Sequence, residues 1–223
     1  MKQRATQLRG NRKRKRLTGM QIASIVLGAI LLLCALGFGG YVWYEEAQHQ
    51  KALRNYPVAY ADLIATYAKE YSLDPYLVQS IMRCESSNDP LAKSDVGAIG
   101  LMQIMPDTGE WIAHKIDPEL AYSLDMLEDP ATNIQYGCWY LRFLSDRFDG
   151  RVMEIVAAYN AGHGSVEEWL KDPRFSQNGV LTSIAFEDAA RYYERVMTAY
   201  ENYTTLYPDQ FSTPAQAGVV AGS

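Results

Sequence analysis

The sequence predicts a mostly α-helical protein with one transmembrane helix near its N-terminus. Residues 20–43 carry no charged side chain, and this stretch exceeds the roughly 20 residues that cross a bilayer. Beyond it, apolar residues recur at helical spacing, and Asp-Pro pairs at 74–75 and 129–130 supply the N-cap and first-turn residues of helices. No alternation of apolar and polar residues indicates a β-hairpin. We therefore expect a helical domain after the span.

Charge is divided unevenly along the chain. Residues 1–19 hold eight of the 21 Lys and Arg and no acid, so the remainder has 13 basic and 26 acidic residues. Positive charge marks the cytoplasmic side of a membrane span. We therefore expect a basic cytoplasmic segment at 1–19, a transmembrane helix at 20–43 and an extracytoplasmic remainder, in a single-pass protein of the cell membrane. The acidic remainder does not favour nucleic-acid binding.

A cleaved signal peptide is the alternative to a permanent anchor. Its apolar core would have about 7–15 residues and end at a cleavage site of small residues. The uncharged stretch here is longer, and it ends in Tyr41-Val42-Trp43. Tyr41 and Trp43 lie where an aromatic belt at the membrane surface is expected. Our interpretation is an anchor, followed by a polar stalk at 44–57.

Start and stop signals divide the rest of the chain into helices and loops. The Asp-Pro pair at 129–130 opens a long helix with apolar residues on more than one face, so we expect this helix to be central. Ser165 and Glu168 form a capping box that opens a short helix. Residues 173–182 predict a loop, and residues 208–223, rich in Ala, Gly and Pro, predict a disordered tail. The predicted helices span 58–71, 75–87, 108–115, 130–148, 151–161, 165–170 and 188–206.

Glu85 is the first candidate for chemistry. It follows Ile81 by four residues and Met82 by three, so it continues the apolar face of its helix. Partial desolvation would raise its pKa, as a general acid at neutral pH requires. The loop that follows contains Gly97 and Gly100, which we interpret as structural, and should fold back over Glu85. A Glu that ends a helix is more often solvated, so the pattern alone leaves a catalytic role open.

Three motifs in order add to this pattern. They are Glu85-Ser86-Ser87, Ser94-x-x-Gly97-Ala98-x-Gly100-Leu101-Met102-Gln103-Ile104-Met105-Pro106 and Ala158-Tyr159-Asn160-Ala161-Gly162. In these motifs the chain resembles the soluble lytic transglycosylase (SLT) family of cell-wall enzymes, relatives of goose-type lysozyme. The resemblance implies a lysozyme-like α-helical catalytic domain over residues 58–207.

The resemblance also implies an activity, that of a membrane-anchored peptidoglycan lytic transglycosylase. In the family, one Glu protonates the glycosidic oxygen between N-acetylmuramic acid and N-acetylglucosamine. The same residue then takes the proton of the muramic C6 hydroxyl, which closes on C1 to give a 1,6-anhydro sugar. Mapped onto this chain, the catalytic residue is Glu85. The implied substrate-binding residues are Ser94, Met102, Gln103, Tyr159, Asn160 and Tyr192.

The last predicted helix departs from the family pattern. Glu-Thr-Arg-x-Tyr-Val is usual there, whereas this chain has Asp-Ala-Ala-Arg-Tyr-Tyr at 188–193. In this alignment Tyr192 matches the tyrosine that reaches the site, and the usual arginine falls on Ala190. The role of Arg191 therefore stays open.

Two other functions remain open at this stage. A lysozyme-type muramidase would use the same acid and a second carboxylate that activates water. The neighbouring acids Asp89, Asp95, Asp107 and Glu110 each occur beside residues typical of turns, where acids usually cap or solvate the chain. An inactive glycan-binding or scaffold module would not require Glu85.

The expected partners are peptidoglycan glycan strands and, through the N-terminal helix, the lipid bilayer; any wall-spanning or divisome-type protein partner is unknown. Cys84 and Cys138 both fall in the extracytoplasmic part, where disulfides persist, and we predict that they pair; two buried free thiols are the alternative. The three His residues are scattered in sequence without metal-ligand spacing, so we expect no metal and no cofactor.

Overall fold

The computed structural model describes residues 18–211, and the fold is mostly helical, as predicted. Most of the basic segment predicted at 1–19, and residues 212–223 of the predicted tail, lie outside the described residues. The chain divides into two compact units that meet between Lys51 and Ala52, and each unit is described by itself.

Helix α1, Gly19–Asn55, makes up the described part of the first unit and contributes its last four residues to the second. It includes the whole uncharged stretch 20–43, and its mean hydropathy reaches 2.5 over 18 residues. Between residues 18 and 211 it is the one helix that is long and apolar enough to cross a membrane. An anchor and a signal sequence both meet this criterion.

The second unit contains seven further α-helices among the described residues, one 3-10 helix and a small hairpin. The α-helices are α2 Ala61–Glu70, α3 Pro75–Ser86, α4 Pro106–Ile116, α5 Pro130–Arg147, α6 Val152–Ala161, α7 His163–Lys171 and α8 Glu187–Leu206. The 3-10 helix is Leu124–Glu128, and the hairpin pairs β1 Ser176–Gln177 with β2 Val180–Leu181.

The Asp-Pro signals begin helices as expected. The Asp74 carboxylate accepts a hydrogen bond of 2.8 Å from the Tyr76 N–H at the start of α3, and the Asp129 carboxylate accepts one of 2.8 Å from the Thr132 N–H at the start of α5. Each bond satisfies an amide that has no partner inside its helix. At the other end of α3, Ser87 takes a left-handed conformation with φ 56° and ends the helix two residues after Glu85.

The hairpin corrects the prediction of a loop at 173–182. Asn178 and Gly179 form its two-residue turn, with φ 53° and 75°. Asn-Gly is the preferred pair for a turn that needs positive φ at both positions. Each strand has only two residues, too few for the alternating pattern that identifies a strand in a sequence.

The core lies between α8, α3, α6 and α5. Helix α8 packs against α3 and α6, and α5 packs against α2, α4 and α6. The buried face of α8 includes Tyr192 and Val196, and that of α3 includes Val78, Ile81 and Met82. This packing brings the last turn of α3 next to the second turn of α8.

The loop between α3 and α4 is fastened by Asn133 of α5. The Asn133 amide donates to the Ile99 carbonyl at 2.9 Å and to the Leu127 carbonyl at 2.7 Å, and its oxygen accepts from the Met102 N–H at 2.7 Å. Gly100 has φ +80°, and a Cβ there would overlap the Asn133 side chain. The loop can therefore approach α5 this closely only with glycine at position 100.

Candidate active site

Glu85 lies in the last turn of α3, with its side chain partly buried. The hydroxyl of Tyr192, on α8, donates a hydrogen bond of 2.5 Å to Glu85 Oε1. Tyr192 is only 2% exposed, so its ring is fixed by the core and its hydroxyl has a defined position. The structure therefore brings together two of the residues predicted from sequence.

Burial raises the pKa of Glu85 from 4.5 to about 7. The hydrogen bond from Tyr192 and the positive charge of Arg195 both lower this pKa, but they do not outweigh the loss of solvation. A carboxyl group with a pKa near neutral pH exists in both protonation states there. It is therefore able both to give and to take a proton, as a general acid and base must.

Tyr159 approaches the same carboxylate from α6. Its hydroxyl donates a hydrogen bond of 2.8 Å to the Met102 carbonyl. Burial, and after it the charge of Glu85, raise the Tyr159 pKa well above its usual value. The phenol is therefore neutral at pH 7 and remains a hydrogen-bond donor.

Two cavities that share Asn160 and Ala161 lie beside Tyr159 and the start of α8. The first, of about 280 Å³, is lined by Gln103, Ile104, Met105, Thr108, Tyr140, Tyr159, Asn160, Ala161 and Gly162. The second, of about 560 Å³, is lined by Asn160, Ala161, Ala185, Phe186, Glu187, Asp188 and Ala189. Both include Asn160, which is exposed, and Ala189 lies one helical turn before Tyr192. Tyr159 thus lines the first cavity, and Tyr192 follows by one helical turn a residue that lines the second.

Gln103 lines the first cavity, as expected for a substrate-binding residue. Its backbone is left-handed, with φ 49°, which is uncommon for a residue with a side chain. Its side-chain amide donates to the carbonyls of Ala92 and Gly100, at 3.1 and 3.0 Å. These two bonds hold the Gln103 side chain within the loop. They use its amide nitrogen and not its side-chain oxygen.

Met102, predicted to bind substrate, is not among the residues that line the two cavities. Its side chain is fully buried, and its sulfur lies against Gly137 of α5, where a Cβ would overlap it. The left-handed backbone of Gln103 reverses the chain between two methionines, so the outward one is Met105. Met105 is 41% exposed and lines the first cavity. Met102 contributes its carbonyl, which holds Tyr159.

Ser94 acts within the loop in the structure. Its hydroxyl accepts a hydrogen bond of 2.9 Å from the Ala98 N–H, and its carbonyl accepts one of 3.0 Å from the Gly97 N–H. Ser94 is partly buried and is not among the residues that line the two cavities. The described contacts of Ser94 are therefore those of a turn.

The four acids considered as a second catalytic group are all exposed: Asp89, Asp95, Asp107 and Glu110. Sequence reasoning missed the most deeply buried carboxylate between residues 18 and 211, that of Glu154, which is 2% exposed. Glu154 forms an ion pair of 2.9 Å with Arg151 and accepts from the Leu181 N–H at 3.1 Å. The bond from Leu181 joins β2 to α6, and the ion pair with Arg151 lies at the start of α6, so this carboxylate has two structural partners.

Arg195 was also missed, although it lies three residues after Tyr192 on the same helix. Its guanidinium lies over the Tyr192 ring, 5.6 Å from the centroid, and its charge lowers the Glu85 pKa. Arg191, left open in the sequence, forms ion pairs with Glu187 and Asp188 on the exposed side of α8. Of these two arginines, Arg195 is the one that acts on the site.

Cys84 and Cys138 are free thiols in the structure, so the predicted pair is not formed there. Cys84 lines a cavity beside Arg195 between α3 and α8, whereas Cys138 is fully buried in α5. Burial raises the Cys84 pKa to about 11 and raises the Cys138 pKa further, so both are unreactive thiols near neutral pH. Among the residues the structure describes, no group of three or more His, Cys, Asp or Glu could hold a metal ion.

Comparison with known proteins gives consistent similarities. The family model described as Transglycosylase SLT domain matches residues 62–180. The soluble lytic murein transglycosylase of Escherichia coli is 36% identical over 150 residues, which are 66% of this chain and 23% of that protein. The membrane-bound lytic murein transglycosylase E of Buchnera aphidicola is 34% identical over 154 residues, which are 62% of this chain and 70% of that protein.

A solved structure is similar over the same region. It is that of an inactive mutant of the lytic transglycosylase Slt from Pseudomonas aeruginosa, in which a glutamine replaces a glutamate. The TM-score is 0.60 with 32% identity, over 67% of this chain and 24% of that one. The chain thus spans about a quarter of the length of these larger relatives.

Proposed function

Because the chain belongs to the transglycosylase SLT domain family, we propose that it is a lytic transglycosylase of peptidoglycan. The observation that carries this proposal is the partly buried Glu85 carboxyl, with a pKa of about 7 and a hydrogen bond from Tyr192. The relatives in Escherichia coli and Buchnera aphidicola are named as lytic murein transglycosylases.

The proposed reaction uses Glu85 twice. In its protonated form, Glu85 gives its proton to the glycosidic oxygen between N-acetylmuramic acid and N-acetylglucosamine, and the bond from that oxygen to C1 of the muramic sugar breaks. As the carboxylate, Glu85 then takes the proton of the C6 hydroxyl while O6 bonds to C1. The muramic product is the 1,6-anhydro sugar, no water is consumed, and Glu85 regains its first protonation state.

The pKa of Glu85 suits both steps. A group with a pKa near the working pH loses little free energy in either direction of proton transfer. The Tyr192 hydroxyl stabilises the carboxylate that forms after the first step, and its fixed position orients the Oε1 atom. The inactive glutamine-for-glutamate mutant of the Pseudomonas aeruginosa relative agrees with an essential carboxyl group in the family.

Residues of the first cavity supply the proposed substrate contacts. Gln103 and Asn160 offer amides to the acetamido and hydroxyl groups of the sugars, and Met105 and Tyr159 offer apolar area to their rings. We propose Met105 in the place that we first gave to Met102. Ser94 remains a proposed substrate contact only through its position in the same loop.

The position of Glu85 favours a transglycosylase over a hydrolase. Within residues 18–211, the groups that act on the Glu85 pKa are Tyr192 and Arg195, in addition to burial, and neither is a carboxylate. The nearby acids are exposed on the surface. A muramidase that activates water with a second carboxylate would need such a group facing Glu85 across the sugar.

The decisive experiment is mass spectrometry of purified peptidoglycan digested with the full-length chain in detergent, beside Glu85→Gln. We expect muropeptides one water lighter than hydrolysed ones, with the mutant giving none. The exposed carboxylate variant Glu110→Gln is the matched control and should give the same products as the unmodified chain. Muropeptides with reducing muramic ends would instead establish a muramidase, and no products from either chain would favour a binding module.

We further propose that α1 anchors the enzyme to a membrane, with residues 1–19 in the cytoplasm and the catalytic unit outside. The length and hydropathy of α1 and the basic residues before it support this topology. One relative is named as membrane-bound. The intact mass of the protein in the membrane fraction of expressing cells should include residues 1–43, whereas a chain shortened after this stretch would indicate a cleaved signal peptide.

A further inference from the structure

We propose that aromatic side chains on α4 and α5 form a second binding surface for the sugar chain of peptidoglycan, continuous with the first cavity. The surface consists of Trp111, Trp139, Tyr140 and Phe143, and we call it the aromatic ladder. This inference rests on the proposed function, because it concerns the same polymer. It adds sugar-binding positions beyond those that Glu85 and its neighbours contact.

The rings of the ladder form an unbroken series that begins in the cavity. Tyr159 and Tyr140, which both line the cavity, have ring centroids 5.6 Å apart. Tyr140 stacks on Phe143 at 5.9 Å, and Phe143 stacks on Trp139 at 6.0 Å with 5° between the ring planes. Trp111 meets both edge-on, at 5.0 Å from Trp139 and 5.2 Å from Phe143. The series thus extends from the first cavity to Trp111 on α4.

Helix α4 also places an aromatic residue close to the first cavity. Thr108 lines the first cavity, and Trp111 follows it by three residues, so the two side chains are neighbours on the surface of α4. Ile112 and Ala113 of the same helix have no exposed surface. Trp111 is 37% exposed, so the position that continues the cavity is occupied by a large aromatic side chain open to solvent.

This surface fits the faces of sugar rings. A pyranose presents C–H groups on its faces and hydroxyls around its edge, so it packs on aromatic side chains while polar groups at the rim receive the hydroxyls. His163 meets Phe143 edge-on at 5.6 Å, and Arg147 lies over the Phe143 ring at 5.8 Å. Both are polar groups beside the ladder. A cavity of about 280 Å³ holds only a short part of a polymer, and the ladder shares Tyr140 with the lining of this cavity.

The test compares long and short glycans on the full-length chain in detergent. All variants carry Glu85→Gln, so that binding is measured without turnover. The ligands are peptide-free glycan strands of high mass and a tetrasaccharide of the same repeat, and the readout is the Kd from calorimetry. Trp111→Ala should weaken binding of the long strands about fivefold, the value of one aromatic contact, and leave the Kd of the tetrasaccharide unchanged.

Two further variants separate ring chemistry from general damage. Trp111→Phe keeps an aromatic face and should retain most of the affinity, whereas Trp111→Leu keeps apolar volume and should behave like Trp111→Ala. Val180→Ala, at an exposed apolar residue outside the ladder and both cavities, should bind both ligands as well as its parent. The thermal unfolding midpoint of each variant shows that it is folded.

The outcomes are distinct from those of the proposed reaction. The inference would be overturned if Trp111→Ala weakened binding of the long strands and the tetrasaccharide equally, or weakened neither. It would also be overturned if the parent chain, with the ladder unmodified, did not bind the long strands. Failure of the unmodified enzyme to release anhydro sugars would overturn the proposed reaction. It would not alter the difference between Trp111 variants, because that difference is measured in a chain that lacks the catalytic carboxyl.

Discussion

The Tyr192 hydroxyl donates a hydrogen bond to the Glu85 carboxylate across 107 residues of sequence, at 2.5 Å. The bond is possible because α8 packs lengthwise on α3 and buries the Tyr192 ring to 2% exposure. A phenol at this place has two effects on Glu85, since it orients one oxygen and stabilises the charged form. Both effects are measurable.

Removing this hydroxyl should move the pH profile of the enzyme to higher pH. Tyr192→Phe deletes a bond that favours the carboxylate, so the Glu85 pKa should rise above its value of about 7. The first proposed step needs the protonated acid, so the alkaline limb of kcat/KM should shift upward. The loss of orientation should lower kcat by about tenfold. Tyr193→Phe, at the partly buried neighbour, is the control, and an unshifted limb in Tyr192→Phe would contradict this role.

The positive charge of Arg195 should hold down the same pKa. Arg195→Met removes this charge and should move the alkaline limb upward, whereas Arg195→Lys should keep most of the wild-type profile. Because Arg195 is exposed, the shift should shrink as salt is added. Arg191→Met is the matched control, since that arginine is paired with Glu187 and Asp188. Equal shifts in both methionine variants would rule out a specific effect of Arg195.

Glu85 should also make the fold less stable as pH rises. Its pKa is about 7 in the folded protein against 4.5 for the ordinary group, so the folded state holds its proton between these pH values while the unfolded chain has lost it. The free energy of unfolding therefore falls as pH rises from about 4.5 to 7 and stays lower above that range. A shift of this size corresponds to roughly 3 kcal/mol.

Glu85→Gln tests this linkage, because the amide does not titrate. Measured by urea unfolding of the full-length chain, the stability of the mutant relative to the parent should be higher at pH 8 than at pH 4 by roughly 3 kcal/mol. The exposed variant Glu110→Gln should show no such difference between the two pH values. A constant difference between Glu85→Gln and its parent would mean that the folded and unfolded pKa values are equal.

The two methionines of the loop should respond oppositely to truncation. Met102→Ala leaves a cavity against Gly137 and should reduce the free energy of unfolding by about 2–5 kcal/mol. Met105→Ala should leave stability within about 0.5 kcal/mol, because the side chain is exposed. It should instead raise KM severalfold in the peptidoglycan assay. Urea unfolding and steady-state kinetics on both variants test this. A stability loss in Met105→Ala together with a higher KM in a fully stable Met102→Ala would contradict the assignment.

Much of the fold was predictable from local sequence signals. Asp74 and Asp129 begin their helices with the side-chain bonds that the sequence predicts, because capping depends on a few neighbouring residues. Glu85 was identifiable for the same reason, since its place on an apolar face is a local property of α3. Its partner Tyr192 came from an alignment of motifs, since no local rule connects α3 with α8.

The remaining features depend on contacts that a linear pattern does not contain. Met102 and Met105 are the same residue type in the same loop, so the sequence does not indicate which of them is buried. The backbone of Gln103 between them is left-handed, and in the structure Met105 is the exposed one. Cys84 and Cys138 are assigned to different surroundings by the packing of α8 and α5. Arg195 acts on Glu85 because the packing of α8 on α3 brings its charge near the carboxylate, with its guanidinium over the Tyr192 ring.

The contact between α3 and α8 can form only late in synthesis, because α8 is the last of the described helices to be made. A ribosome makes Glu85 first and reaches Tyr192 107 residues later, which takes on the order of 5–20 s at about 5–20 residues per second. Until α8 has been made, the carboxyl lacks the hydroxyl that orients it and the helix that buries it. The nascent chain therefore lacks the finished acid until this last helix has been synthesised and has packed on α3.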